Sequence, residues 1–166
     1  MKAPQLFLFA AYAICVCGCS QKSDVPTGEE VLARVNDAVI TRRDVDVQSR
    51  THGNEKRDLA LDDLINRELV LQEFKAKGYN LAEKIIDDRI ERIISEKFLG
   101  ERSSFIADLK KQGRTLEEFR KRERDKVIIE AMRQKIVQDA HTPSERGKKW
   151  DAWLASLRKK ASISVY

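Results

Sequence analysis

Residues 161–166 have the sequence ASISVY, an alternation that is typical of a β-strand. In an extended chain Ala161, Ile163 and Val165 point to one side, and serine or tyrosine points to the other. Nearly all of the sequence before this stretch has helical periodicity instead. A lone strand leaves its backbone N–H and C=O groups unpaired, so the sequence must supply a partner strand elsewhere.

The best partner is the stretch VLARVNDAVIT, residues 31–41. Two short apolar runs flank Asn36-Asp37, a pair of residues that favours a tight turn, so the stretch predicts a β-hairpin. Three strands with an apolar face against helices can persist where two cannot. We therefore predict that the C-terminal strand pairs with this hairpin.

Helices fill the interval between the strands. Start signals of the capping-box type occur at Thr41 with Asp44, Asn80 with Glu83, Thr115 with Glu118, and Thr142 with Glu145. Stop signals are the glycines Gly78, Gly100 and Gly113. Trp150 and Trp153 lie three residues apart and are expected to be core anchors of the last helix. The prediction is a mainly α fold, one multi-helix domain over residues 31–166, closed by a small sheet that joins its two ends.

The first residues, MKAPQLFLFAAYAICVCGCS, are typical of a secretory leader. Lys2 is followed by an uncharged apolar run too short to be a usual spanning helix. The end of the run, Val16-Cys17-Gly18-Cys19, resembles the bacterial lipobox, in which the last cysteine is lipidated. We expect a lipoprotein signal peptide at 1–18, lipidation of Cys19 and a flexible tether at 19–30; the alternative is an ordinary cleaved signal peptide.

This leader predicts a periplasmic domain anchored to a bacterial membrane, and Ser20 after the cysteine favours the outer membrane. The sequence has no phosphate-binding loop and no Gly-rich dinucleotide fingerprint, so no cofactor is predicted. ATP is also scarce outside the cytoplasm.

Charged residues make up 36% of the 166 residues, and the formal net charge is +5. Six basic residues cluster on one segment: Arg114, Arg120, Lys121, Arg122, Arg124 and Lys126. Such a cluster could follow phosphates, but Glu117, Glu118, Glu123 and Asp125 are interleaved, as on a solvated helix face. With an export signal as well, nucleic acid is not expected as a partner.

No arrangement of catalytic or metal-binding residues is evident. The adjacent carboxylates Asp62-Asp63 and Asp87-Asp88 point about 100° apart on a helix and cannot share one proton site. His52 and His141 have no cysteine or acidic residue at the spacing of a zinc site. We predict no enzyme activity and no metal.

Four stretches together resemble the SurA-like periplasmic chaperones: VLARVNDAVITRRDVD (31–46), ALDDLINRELVLQEFKAKGYNLAEKIIDDRIERII (60–94), TLEEFRKRERDKVIIEAMRQKIV (115–137) and WLASLRKKASISVY (153–166). The resemblance implies a SurA N-terminal domain, which has a trigger-factor C-terminal-like fold. Full-length relatives usually insert parvulin-type prolyl isomerase domains before the last helix. Here residues 138–149 leave no room for one, so isomerase activity is not expected.

The resemblance implies an ATP-independent holdase for unfolded envelope or outer-membrane polypeptides. Candidate peptide-binding residues are Phe98, Leu99, Phe105 and Ile106, which flank a break between two helices; the alternative is that they pack in the core. A second hypothesis is a structural or assembly lipoprotein that holds one folded partner at the envelope. Binding to many unrelated unfolded chains would favour the chaperone.

Overall fold

The computed structural model describes residues 29–49 and 57–166, in which two strands are followed by six helices and a third strand, as the sequence predicts. The strands are β1 (Val31–Val35), β2 (Ala38–Thr41) and β3 (Ile163–Val165). The helices are α1 (Arg42–Ser49), α2 (Arg57–Ala76), α3 (Glu83–Phe98), α4 (Arg102–Lys111), α5 (Leu116–Val137) and α6 (Pro143–Lys160). The signal peptide, Cys19, His52 and most of the expected tether lie outside the described residues.

The strands form one antiparallel sheet in the order β2-β1-β3, which we call the terminal sheet. The hairpin and the C-terminal strand therefore pair as predicted, with Val35 opposite Ile163 and Ala33 opposite Val165. Ala33 and Val35 are fully buried. Both ends of the described chain thus meet over one apolar face.

Asn36 connects the hairpin turn to two other parts of the molecule. Its backbone is left-handed, with φ of 54°, a conformation that asparagine adopts more readily than most residues. Its Oδ1 accepts a hydrogen bond of 2.9 Å from the amide of Ser162, and its Nδ2 donates one of 2.6 Å to Gln72 of α2. Gln72 in turn donates to the carbonyl of Val35 at 3.0 Å. The turn residue therefore fixes β3 and α2 together.

Three apolar clusters form a continuous core. The first lies under the terminal sheet and is built by α1, the first half of α2 and Leu157 of α6. The second joins α2, α5 and α6 around the buried residues Val70, Ile128 and Met132, and both tryptophans are half-buried and pack against it, as expected of core anchors. The third joins α3 and α4 to the first half of α5.

Most helix ends follow the sequence signals. Thr115 with Glu118 and Thr142 with Glu145 form complete capping boxes, and Thr41 with Asp44 makes the same reciprocal bonds. Gly78, Gly100 and Gly113 have positive φ just after α2, α3 and α4. The start signal at Asn80 is wrong: α3 begins at Glu83, and its N-cap Ala82 has no side chain that could accept a bond.

The segment before β1 also contacts the folded part. Glu30, assigned to the tether, forms an ion pair of 2.6 Å with Arg42, and its carbonyl accepts the amide of Arg42 at 2.8 Å. The contacts of the folded part therefore begin before residue 31. At the other end of the fold, α6 begins at Pro143, as the start signal at Thr142 predicts, so only residues 138–142 link it to α5.

Candidate functional site

The turn between α3 and α4 carries the most exposed large apolar side chain among the described residues. Leu99 is 92% exposed and takes a left-handed conformation, with φ of 53°. Gly100 follows with φ of 83°, and its amide bonds the carbonyl of Ile94 at 3.1 Å. A left-handed conformation costs a residue with a Cβ roughly 1 kcal/mol. The backbone of Leu99 ends α3 as its C-cap, with the amide bonded to the carbonyl of Ile94, but its side chain buries almost no surface.

Behind this turn, three phenylalanines form an aromatic row. Phe98 and Phe105 meet edge to face with ring centroids 5.4 Å apart, and Phe105 meets Phe119 in the same way at 5.1 Å. Beside the row lies a shallow groove of about 330 Å³, which we call the phenylalanine groove. It is lined by apolar Ile93, Phe98, Phe105, Leu109 and Phe119 and by polar Arg89, Lys97, Asp108, Gln112, Glu123 and Lys126. A volume of this size suits one or two side chains of an extended peptide.

The four candidate peptide-binding residues divide between surface and core. Leu99 is exposed, and Phe98 and Ile106 are half-buried. Phe105 is only 1% exposed, because Phe98 and Phe119 cover its ring on both sides. Phe105 therefore lines the groove from the core, as the alternative for this residue had it, and peptide contact by Phe105 stays a prediction. Peptide binding by the other three stays a prediction.

Ion pairs attach α3 to α5 beside the groove. Arg120 bonds both Asp87 and Glu83, and Arg124 also bonds Glu83. Hydrogen bonds from Arg120 hold the pKa of both carboxyls below their usual values. These arginines and carboxylates are at least one third exposed, so each pair contributes little to stability alone.

Glu123 is the buried member of this set, with its side chain only 4% exposed. Burial opposes its ionisation, but hydrogen bonds from Lys126 at 2.6 Å and Arg89 at 2.8 Å outweigh that effect and lower the pKa of its carboxyl. Asp125 is also buried, against Arg67 of α2. Both carboxylates were expected on a solvated helix face, which is wrong: they point to α3 and α2.

Four of the six residues in the predicted basic cluster contact other groups of the protein. Arg120 and Arg124 bond α3, Lys126 bonds Glu123, and the Arg114 guanidinium lies 5.5 Å from the centre of the Phe119 ring. Side chains engaged in this way are poorly available to phosphates. That nucleic acid is not a partner stays a prediction.

Sequence reasoning missed a second open groove, of about 380 Å³, between the end of α2 and the second half of α5. Phe74 and Tyr79 meet edge to face at 5.7 Å, and Lys135 Nζ lies 4.9 Å from the centre of the Tyr79 ring. Tyr79 follows Gly78, the stop signal of α2. Two aromatic residues five positions apart across a helix end, Phe74 and Tyr79, were the sequence signal that could have indicated this contact.

The adjacent carboxylates have separate partners, as their angular separation on the helix suggests. Asp87 bonds Arg120, whereas Asp88 bonds Lys84 at 2.7 Å. Within residues 29–49 and 57–166, no group of three His, Cys, Asp or Glu side chains is arranged to hold a metal ion.

None of the helices in the described ranges is both long enough and apolar enough to cross a membrane.

No protein-family model matches this sequence, and no curated protein matches it. The fold is similar to a solved chain from work on the virulence factor PEB4 and the periplasmic protein Cj1289 of Campylobacter jejuni, described as two structurally related SurA-like chaperones. The two chains are 24% identical, with a TM-score of 0.47 over 68% of this chain. The similar region spans 44% of that chain, less than half of its length.

Proposed function

We propose that this chain is an ATP-independent chaperone that holds unfolded envelope or outer-membrane polypeptides in the periplasm. The observation that carries the proposal is Leu99, exposed and left-handed beside the phenylalanine groove. The left-handed backbone is explained by its place at the end of α3, where glycine or asparagine would serve at lower cost. A leucine side chain that buries nothing there has its best explanation in contact with something else.

The groove has the properties that a transient binder needs. Its apolar floor accepts apolar side chains from many sequences, and its charged rim keeps the surface hydrated when no client is present. Its small volume limits the area that any one segment buries, so each contact is weak and release requires no ATP.

The proposal includes a lipid anchor at Cys19, with the outer membrane as its site, and no prolyl isomerase activity. The anchor rests on the lipobox-like sequence. Several acyl chains on one residue anchor durably, since each buried methylene contributes about 0.8 kcal/mol. The lack of isomerase rests on the short link between α5 and α6.

Light scattering tests the proposal. A denatured outer-membrane barrel is diluted into buffer without ATP, with and without a several-fold excess of the chain. We expect suppressed aggregation, and we expect Leu99→Asn to weaken the suppression at least threefold. Asparagine tolerates the left-handed conformation, so this variant removes the apolar side chain without straining the turn.

The matched control is Leu59→Gln. Leu59 is also exposed, at 55%, but lies on α2 beside the terminal sheet. It should suppress aggregation as the parent does. If the parent shows no suppression, the scaffold hypothesis becomes the better one, and a single stoichiometric folded partner should then be recoverable. A standard prolyl isomerase assay should show no rate above background.

A further inference from the structure

The two edge strands of the terminal sheet, β2 and β3, differ in how many of their outward backbone N–H and C=O groups are hydrogen-bonded or covered. At the β2 edge, α1 begins immediately after the strand, and the amide of Thr41 donates to Asp44 at 2.9 Å. At the β3 edge, Ser164, Val165 and Tyr166 are all exposed. β3 is therefore the open edge.

The hydrogen-bond pattern shows which groups of β3 point outward. The amide of Asn36 bonds the carbonyl of Ser162 at 2.8 Å, and the amide of Tyr166 bonds the carbonyl of Leu32 at 3.0 Å. Bonded and non-bonded pairs alternate in an antiparallel ladder, so Ser164 is bonded to β1 and its two neighbours are not.

The amides and carbonyls of Ile163 and Val165 therefore point away from β1. No backbone hydrogen bond to these groups occurs among the residues that the structure describes. Two donors and two acceptors stand ready for one further strand.

The side chains around the β3 edge indicate which residue types an added strand would need. Val165 is 60% exposed on the apolar face of the sheet, next to half-buried Ile163. The opposite face carries exposed Arg34 beside Ser164. Residues 158–166 contain three basic residues and no acidic ones, and Lys159 and Lys160 are exposed just before the strand.

We propose that the outer edge of β3 binds, by strand addition, an extended polypeptide segment that alternates apolar and acidic residues. Main-chain bonds to Ile163 and Val165 supply the attachment. Apolar side chains of the segment cover Val165, and acidic ones face Arg34 and the two lysines. A second copy of this chain would bring another basic segment to the edge, so charge favours an acidic partner. This site is separate from the phenylalanine groove and does not depend on the proposed function.

Peptide binding to the full chain tests the proposal by fluorescence anisotropy. An eight-residue peptide alternating valine and glutamate should bind at least tenfold more tightly than one alternating valine and lysine. Methylating the valine–glutamate peptide at the amides that face β3 should abolish binding, whereas methylating the alternate amides should not. Hydrogen exchange should slow at the amides of Ile163 and Val165 on binding.

Two proline variants separate the edge from the fold. Val165→Pro removes an outward amide that β1 does not use, which an edge strand tolerates. It should unfold like the parent and bind the peptide at least tenfold more weakly. Ser164→Pro removes a hydrogen bond to β1 and should lower the free energy of unfolding. That loss would show that Ser164, rather than Val165, points its amide to β1.

Parent-like binding by Val165→Pro would overturn the proposal, as would equal binding of the lysine peptide. Concentration-dependent self-association that protects the same two amides would also overturn it, because the occupant would then be a second copy. If Val165→Pro fails to fold, the methylated peptides decide. Leu99→Asn should leave this binding unchanged, so failure here is distinct from failure of the chaperone proposal.

Discussion

The terminal sheet and the hairpin of α3 and α4 differ in how they are held. In the sheet, β1 is hydrogen-bonded on both sides, and its Ala33 and Val35 are fully buried. The hairpin of α3 and α4, in contrast, meets α5 beside ion pairs that are partly exposed to solvent. The sheet has its one left-handed asparagine fixed by three hydrogen bonds. The α3–α4 hairpin has a left-handed leucine exposed to solvent. The terminal sheet therefore stabilises the fold, whereas the exposed leucine side chain of the α3–α4 hairpin adds nothing to the free energy of unfolding.

Deleting residues 161–166 should have the largest effect. The deletion removes β3, its bonds to β1 and the half-buried Ile163, each of which contributes about 1 kcal/mol or more. We expect a loss of at least about 3 kcal/mol in the free energy of unfolding, measured by urea denaturation. Tyr166→Ser should change it by less than about 0.5 kcal/mol, because that side chain is 71% exposed. A truncated chain that melts like the parent would contradict the architecture.

Acidification should have the second-largest effect, and it should destabilise the packing of α3 on α5 before it destabilises the terminal sheet. The pKa values of Glu83, Asp87 and Glu123 are lower in the folded than in the unfolded state, so the folded state binds fewer protons. The stabilisation that these carboxylates give is therefore complete above about pH 5, since their pKa values in the unfolded state are near 4. It is lost as pH falls through their lower pKa values in the folded state.

Amide exchange between pH 6 and pH 3 measures this difference. Protection in α3 should fall before protection in β1, and added salt at pH 6 should shift the balance in the same direction, because these carboxylates are paired with α5 or Arg89. The comparison fails if β1 loses protection first or if both are lost together.

Asn36 gives a smaller and more local effect. Asn36→Gly keeps the left-handed turn but removes both side-chain hydrogen bonds, so it should cost about 1 to 2 kcal/mol in the free energy of unfolding. Asn36→Ala also strains the backbone and should cost about 1 kcal/mol more. Asp37→Ala, at the exposed neighbouring position, should stay within about 0.5 kcal/mol of the parent by urea denaturation.

The smallest expected change is at Leu99. Leu99→Asn should raise the free energy of unfolding by about 0.5 kcal/mol, because it relieves the left-handed strain and loses no burial. Leu99→Ala keeps the strain and should be neutral by the same denaturation assay. A marked loss of stability in either variant would mean that Leu99 supports the fold after all.

Signals that are close in sequence predicted most of the fold. The hairpin turn, three threonine starts and three glycine stops each depend on residues within a few positions of one another. The pairing of β3 with β1 is distant in sequence, yet it could be predicted because an isolated strand must find a partner.

The start signal at Asn80 failed locally, whereas the wrong predictions for Glu123 and Asp125 concern neighbours that only the tertiary fold creates. Glu123 and Asp125 have the sequence surroundings of exposed residues, and their burial depends on Arg89 of α3 and Arg67 of α2. Phe105 was selected for its place beside a helix break, but edge-to-face contacts with Phe98 and Phe119 cover it. Helical periodicity does not determine which helix faces which, so these contacts could not be predicted.

Site-specific photo-crosslinking tests the central claim most directly. A photoreactive residue at position 99, or at position 59 as the control, is activated in the full chain mixed with several unrelated denatured polypeptides, without ATP. The account predicts crosslinks from position 99 to each unfolded chain, few from position 59, and none to the same polypeptides once folded. Equal crosslinking from both positions, or crosslinks from position 99 to folded polypeptides alone, would contradict it.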